Sequence, residues 1–122
     1  MPESPKDCGI LRELARQVAE IAALPIHKQK ADLWRRLNRL EKVRPLVWIN
    51  EICWHEMGPE MDCRCEDKFC RDWEWGLRAV LYQWRHLPGD RVVEGVLYSP
   101  VVVHDTGFGI EVHAERAGER PR

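Results

Sequence analysis

The sequence predicts an α/β protein in which two N-terminal helices precede one βαβ unit. Three observations predict it. Apolar residues recur at helical spacing from Leu11 to Leu40. Leu46-Val47-Trp48-Ile49 is a short unbroken apolar run of the kind that forms a buried strand. An amphipathic helical pattern then separates this run from a second, valine-rich segment between Arg91 and Val103.

Residues 1–9 contain Pro2, Pro5 and Gly9 and are expected to fray, leaving residues 10–112 as the folded body. In the first helix Leu11, Leu14, Ala15, Val18, Ile21 and Ala22 share a face. It stops at Leu24, because Pro25 disfavours helical geometry in the residue before it. A second helix runs from His27 to Lys42, with Leu33, Trp34, Leu37 and Leu40 on its apolar face. Pro45 closes that helix and opens the first strand. After Met57, Gly58-Pro59 signals a loop.

A third helix is expected from Asp67 to His86, with Phe69, Trp73, Leu77, Val80, Leu81 and Trp84 on one face. Leu87-Pro88-Gly89-Asp90 is its stop and turn. The second strand follows from Arg91 to Val103, interrupted by Pro100. Gly107-Phe108-Gly109 is a turn, Ile110 to Val112 a short extended piece, and residues 113–122 a polar tail expected to be disordered. Strand, helix and strand in that order suggest a right-handed crossover. Two parallel strands alone leave faces and an apolar edge uncovered, so the chain reads as the opening portion of a larger α/β fold.

Composition narrows the function. The chain has 122 residues, 44% of them hydrophobic and 32% charged, with a formal net charge of −1. No global field therefore favours nucleic acid or an anionic membrane. No apolar run approaches the roughly 18 residues of a spanning helix, and MPESPKDCG lacks the order of a signal peptide. A cytoplasmic protein is expected. The five cysteines are an odd number and are read as reduced thiols. The six tryptophans imply either a demanding core or surfaces that something else covers.

The stretch Arg44–Met57, RPLVWINEICWHEM, carries the main candidate site. A strand that runs into Asn50, Glu51, His55 and Glu56 presents polar chemistry at its carboxyl end. Glu51 and His55 are the catalytic candidates, since an imidazole titrates near neutrality and suits proton transfer. The plainer reading is a solvated loop with acidic residues at a helix N-terminus. Cys63, Cys65 and Cys70, with His55 upstream, have the atom types of a zinc site. Their spacing, C-x-C-x4-C, is not a usual paired-cysteine knuckle, and free thiols are the preferred reading. The basic face of the second helix, Lys28, Lys30, Arg35, Arg36 and Arg39, is read as a solvated face, because Trp34 lies on the apolar stripe. His104-Asp105 offers a paired imidazole and carboxylate, with no Ser or Cys nucleophile in register; equally, Asp105 and Gly107 suit a plain turn.

The run Pro45-Leu46-Val47-Trp48-Ile49, the long helix ending at Leu87-Pro88-Gly89-Asp90, and the segment from Arg91-Val92-Val93-Glu94 through Gly107-Phe108-Gly109-Ile110-Glu111-Val112 together resemble the uroporphyrinogen decarboxylase superfamily. WINEICWHEM with HDTGFGIEV is most similar to its corrinoid-linked, methyltransferase-like branch. The resemblance spans about Leu11 to Val112 and implies the N-terminal portion of a (β/α)8 barrel. It further implies a parent that moves a methyl group between a corrinoid and a small acceptor or donor, with zinc activating a thiol. The remainder of the barrel and a corrinoid protein would be its partners. Asn50, Glu51, His55, Tyr98, His104 and Asp105 would line the pocket.

The departures exclude the decarboxylase activity itself. Arginines that hold a tetrapyrrole's propionates in that family fall here on Glu51 and His55, and a carboxylate repels a carboxylate. The family's aspartate after the second strand falls near Tyr98. A complete barrel takes about 250 residues, so the expectation is a truncated product or a segment of a split protein that is not catalytic alone. The family's metal ligands lie in a later part of the barrel, so no cofactor is expected in this chain alone. The alternatives are a small self-associating interaction protein and a small zinc protein.

Overall fold

Pro5 opens the first helix, α1 (Pro5–Ala22), at a position where its missing N–H is no loss. The computed structural model describes residues 4–99, 101, 103 and 109. The N-terminal segment expected to fray is thus helical from Pro5 onward, and Asp7 in its first turn is fully buried. α1 places Leu14 and Val18 in the core, flanked by Ile10, Leu11, Ala15, Ile21 and Ala22. It ends at Ala22, three residues before Pro25.

The second helix, α2 (Ile26–Asn38), is shorter than its apolar pattern suggests. The Glu41 N–H bonds back to the Arg36 carbonyl, the Leu40 N–H bonds to the Leu37 carbonyl, and Leu40 sits at φ 61°. These are the two crossed bonds of a left-handed C-terminal cap, with leucine where glycine is usual. The cap ends the helix before Lys42.

The third helix, α3 (Lys68–His86), agrees with the sequence reading to within one residue. Asp67 is its N-cap, accepting the Cys70 N–H at 3.0 Å. Leu77 and Leu81 of α3 meet Leu14 and Val18 of α1 in the core, and Val93 closes it. α2 joins through His27, whose ring lies 5.1 Å from that of Trp84, and through Trp34, whose indole N–H donates to the Asp90 carbonyl at 2.8 Å. Short 3-10 turns at Trp54–Glu56 and Pro59–Met61 lead back to α3.

The expected βαβ unit, and with it the barrel portion, is corrected here. The described residues form three α-helices and no strand. Leu46-Val47-Trp48-Ile49 and residues 91–99 have no regular secondary structure, with a bend at Gly95, and carry no ladder. The reason is local. Both backbone groups of Val47 are taken by Asp90: its N–H donates to the Asp90 carboxylate at 2.8 Å, and its carbonyl accepts the Asp90 N–H at 2.9 Å. That contact makes a corner between the two segments, not a sheet. Beyond it, Val96, Leu97, Tyr98, Val101 and Val103 are exposed. The predicted turn at Gly107-Phe108, the extended piece from Ile110 and the tail from His113 lie outside the described residues.

Candidate functional site

Asp90 is the most connected group among the predicted functional segments. Its carboxylate accepts both terminal nitrogens of Arg44 as well as the Val47 N–H. The Arg44 guanidinium and that N–H hold its carboxyl at about 2, well below the usual carboxylate range. Gly89 lets the turn approach this closely, since a Cβ there would meet the Val47 carbonyl oxygen at 3.2 Å. RPLV and LPGD, over 40 residues apart in the chain, are thereby joined by a bidentate ion pair.

The predicted site residues do not converge in the same way. Asn50 and Glu51 are exposed on the extended segment. His55 is exposed on the first 3-10 turn, its Nε2 3.4 Å from a Glu56 carboxylate oxygen. Tyr98 is 75% exposed, and its hydroxyl donates to Glu94 at 3.1 Å. That hydrogen bond to a carboxylate raises the phenol above its ordinary range. No described hydrogen bond or ion pair joins Asn50, Glu51 or Tyr98 to His55. His104 and Asp105 lie outside the described residues. The catalytic candidates Glu51 and His55 are therefore surface groups without a shared pocket wall.

The cysteines meet a different environment. Cys65 and Cys70 are buried and Cys63 is half-buried. Burial pushes the Cys65 thiol up to about 12, helped by hydrogen bonding to the Glu74 carboxylate. Burial also raises Cys63 and Cys70. Raised in this way, the thiols are held towards the protonated form, which is the less nucleophilic one. Among the described residues, no group of three or more His, Cys, Asp or Glu side chains is arranged to hold a metal ion.

Two functional-looking groups escape sequence reading. Glu74, fully buried on α3, accepts the Arg64 N–H at 2.9 and 2.8 Å, the Cys65 N–H at 2.7 Å and the Arg78 guanidinium at 2.8 and 2.6 Å. Burial alone would raise its carboxyl. The N–H groups of Cys65 and Arg64 and the Arg78 cation outweigh that and hold it low. Asp7 of α1 accepts the Glu66 and Asp67 N–H groups from the other side, at 3.1 and 3.0 Å. The two carboxylates bind the loop 64–67 as an anion site binds in reverse, and leave no acid free for chemistry.

One concave site of about 200 Å³ lies between α3, the start of α2 and the two irregular segments. Trp84, Val80, Ile49 and Val93 supply its apolar wall, and Lys30 and Arg91 its cations. No helix of the described residues is long and apolar enough to cross a membrane. No known protein-family model matches the chain, and neither curated proteins nor solved structures match it.

Proposed function

We propose that this chain acts as one part of a larger assembly, in which complementary extended structure covers its two apolar segments, and that it does not carry a complete catalytic site. One observation carries the reading. Val47, Trp48, Val96, Leu97, Tyr98, Val101 and Val103 are all more than half exposed on chain that, among the described residues, joins no strand ladder. An apolar segment with unused backbone donors and acceptors is a template for strand addition. The helical half meanwhile holds its buried Asp7 and Glu74 carboxylates in hydrogen bonds, so it offers a platform for that surface. The cover is a second copy or a further polypeptide. The free cysteines support a reading in which the chain works in a reducing compartment such as the cytosol. Sedimentation across a concentration series tests the reading. A defined oligomer that dissociates on dilution supports self-association. A monomer whose extended segments are already protected from exchange contradicts the proposal.

A second reading keeps the methyltransferase-like resemblance. The observation in its favour is the Asp90 pair, which joins the two motifs that carry the likeness, RPLV and LPGD, through Arg44 and Val47. In that reading Asn50, Glu51 and His55 form one wall of a site that another polypeptide completes. Zinc and a corrinoid would then be held by that polypeptide. Methyl transfer that appears only when the chain is mixed with a complementing polypeptide, and that falls with Glu51→Ala, supports it; activity indifferent to Glu51 and His55 counts against it.

A further inference from the structure

Arg91 is half-buried beside an apolar wall, and its one hydrogen-bonding partner among the described residues is the neutral Gln83 side-chain oxygen. A guanidinium drawn out of water without a counter-charge is an unfavourable arrangement unless an anion completes it. Burial lowers its proton affinity, and no nearby carboxylate offsets this. Lys30 stands across the same cavity, its ammonium 5.4 Å from the centre of the Trp84 ring. The carboxylate that feels Lys30 is Asp90, and Arg44 and the Val47 N–H already occupy it. Two cations therefore face one cavity with no acid of their own among the described residues.

The rest of the lining is apolar. Val47, Ile49, Val80, Trp84 and Val93 surround a space of about 200 Å³. That is smaller than the roughly 300 Å³ at which drug-sized sites begin. The Trp84 face is held by His27 on one side, at 5.1 Å, so it is a fixed platform. We propose that this cavity binds a small aromatic carboxylate, its ring on Trp84 and its carboxylate paired with Arg91 and Lys30. A planar guanidinium matches a carboxylate with two parallel hydrogen bonds, and an apolar ring gains from leaving water in this pocket. The inference does not depend on assembly, and its failure would leave the assembly reading intact, since that one is read by sedimentation.

The test uses naphthoate and its uncharged isostere naphthamide, titrated into the full chain by calorimetry and by two-dimensional amide NMR. Naphthoate is expected to bind saturably and about tenfold tighter than naphthamide, as a charge-assisted pair provides. The shifts should centre on Val80, Trp84 and Arg91. Arg91→Gln should bring the two ligands to equal affinity, and Arg91→Lys should restore part of the difference. Lys30→Gln is a second variant at a half-buried position outside the core cluster and should lower the preference. Equal binding of acid and amide to the unaltered chain would overturn the proposal. So would binding of inorganic phosphate as tight as that of naphthoate, because the apolar wall would then contribute nothing. Shifts spread over Trp48, Val96 and Leu97 would assign the binding to the exposed apolar surface and likewise overturn it.

Discussion

Two irregular stretches of this chain differ in how their backbones are satisfied. The loop 62–67 has no regular structure, yet the Glu74 and Asp7 carboxylates take the N–H groups of Arg64, Cys65, Glu66 and Asp67. Cys65 in that loop is buried. The segments 46–53 and 91–99 are equally irregular, and among the described residues their long-range backbone bonds are those of Val47 to Asp90 and of Val93 to His27. Val93 is buried in the core, but Val47, Trp48, Val96, Leu97 and Tyr98 lie in solvent. Irregular chain is complete in itself where buried acids replace the missing ladder. Where they do not, apolar surface is left exposed among the described residues.

The largest effect should come from breaking the complete half. Glu74→Ala removes the acceptor of two loop N–H groups and leaves Arg78 beside a void. A loss of roughly 3–5 kcal/mol is expected, a large part of what a domain of this size has. Urea unfolding should show the midpoint collapse, with the Arg64 and Cys65 amides exchanging freely. A loss within experimental error would mean that the loop does not need its carboxylate.

Asp90→Asn strikes the single tie of the other region. A cost of about 2 kcal/mol is expected for weakening hydrogen bonds to a charged group, with the Val47 amide losing protection and the helices unchanged. The same tie has an acid limb. The Asp90 carboxyl is depressed to about 2 from its usual 3.8, so its contribution is present above about pH 4 and is lost as pH falls towards 2. Asp90→Asn should remove that limb from the stability profile.

His27 joins the two regions and gives a second pH signature. Its Nδ1 accepts the Val93 N–H at 3.1 Å, which requires a neutral ring. Its buried Nε2 has no partner among the described residues. Burial lowers the proton affinity of the ring below the usual 6.5, and the Lys30 charge adds to this. The unfolded chain therefore binds the proton first, and stability falls as pH drops below 6.5, by at most about 1.4 kcal/mol per pH unit for one proton. His27→Gln keeps an acceptor for Val93 and should flatten this limb of a thermal-melt pH series.

The helices themselves were legible in the sequence because helical periodicity is a local property. Asp67 to His86 reads directly from Phe69, Trp73, Leu77 and Leu81, and the Asp67 cap is a one-residue signal. The strands were misread because an apolar run records only a wish for burial. Whether Val47 or Val96 finds a ladder depends on partners far away in the chain or outside it. Glu74 and Asp7 were missed for a subtler reason. Glu74 shares the α3 face of Cys70, Leu77 and Leu81, and Asp7 shares the α1 face of Leu14 and Val18. An acid on an apolar stripe was the available signal, and it marks a buried acceptor. Of the candidate site, Glu51 and His55 were chosen as polar residues after a strand. With no strand to aim them, they are surface groups.

A smaller effect is expected at Leu40, which is 95% exposed and left-handed at φ 61°. Leu40→Gly should stabilise the chain by about 1 kcal/mol, because glycine takes that cap conformation without strain. Destabilisation would mean that this leucine is covered in solution. The smallest change in the stability of the isolated chain should follow Val96→Lys with Leu97→Lys, within about 0.5 kcal/mol. The same pair should weaken association strongly if the exposed segment is the interface.

Amide hydrogen exchange at two protein concentrations tests the contrast most directly. The account predicts that the amides of residues 64–67 are protected equally at both. The amides of residues 48–53 and 94–99 should exchange at nearly unfolded rates on dilution and gain protection as concentration rises. Strong protection of residues 94–99 at the lowest concentration would contradict the account, because it would mean that this segment already pairs within its own chain.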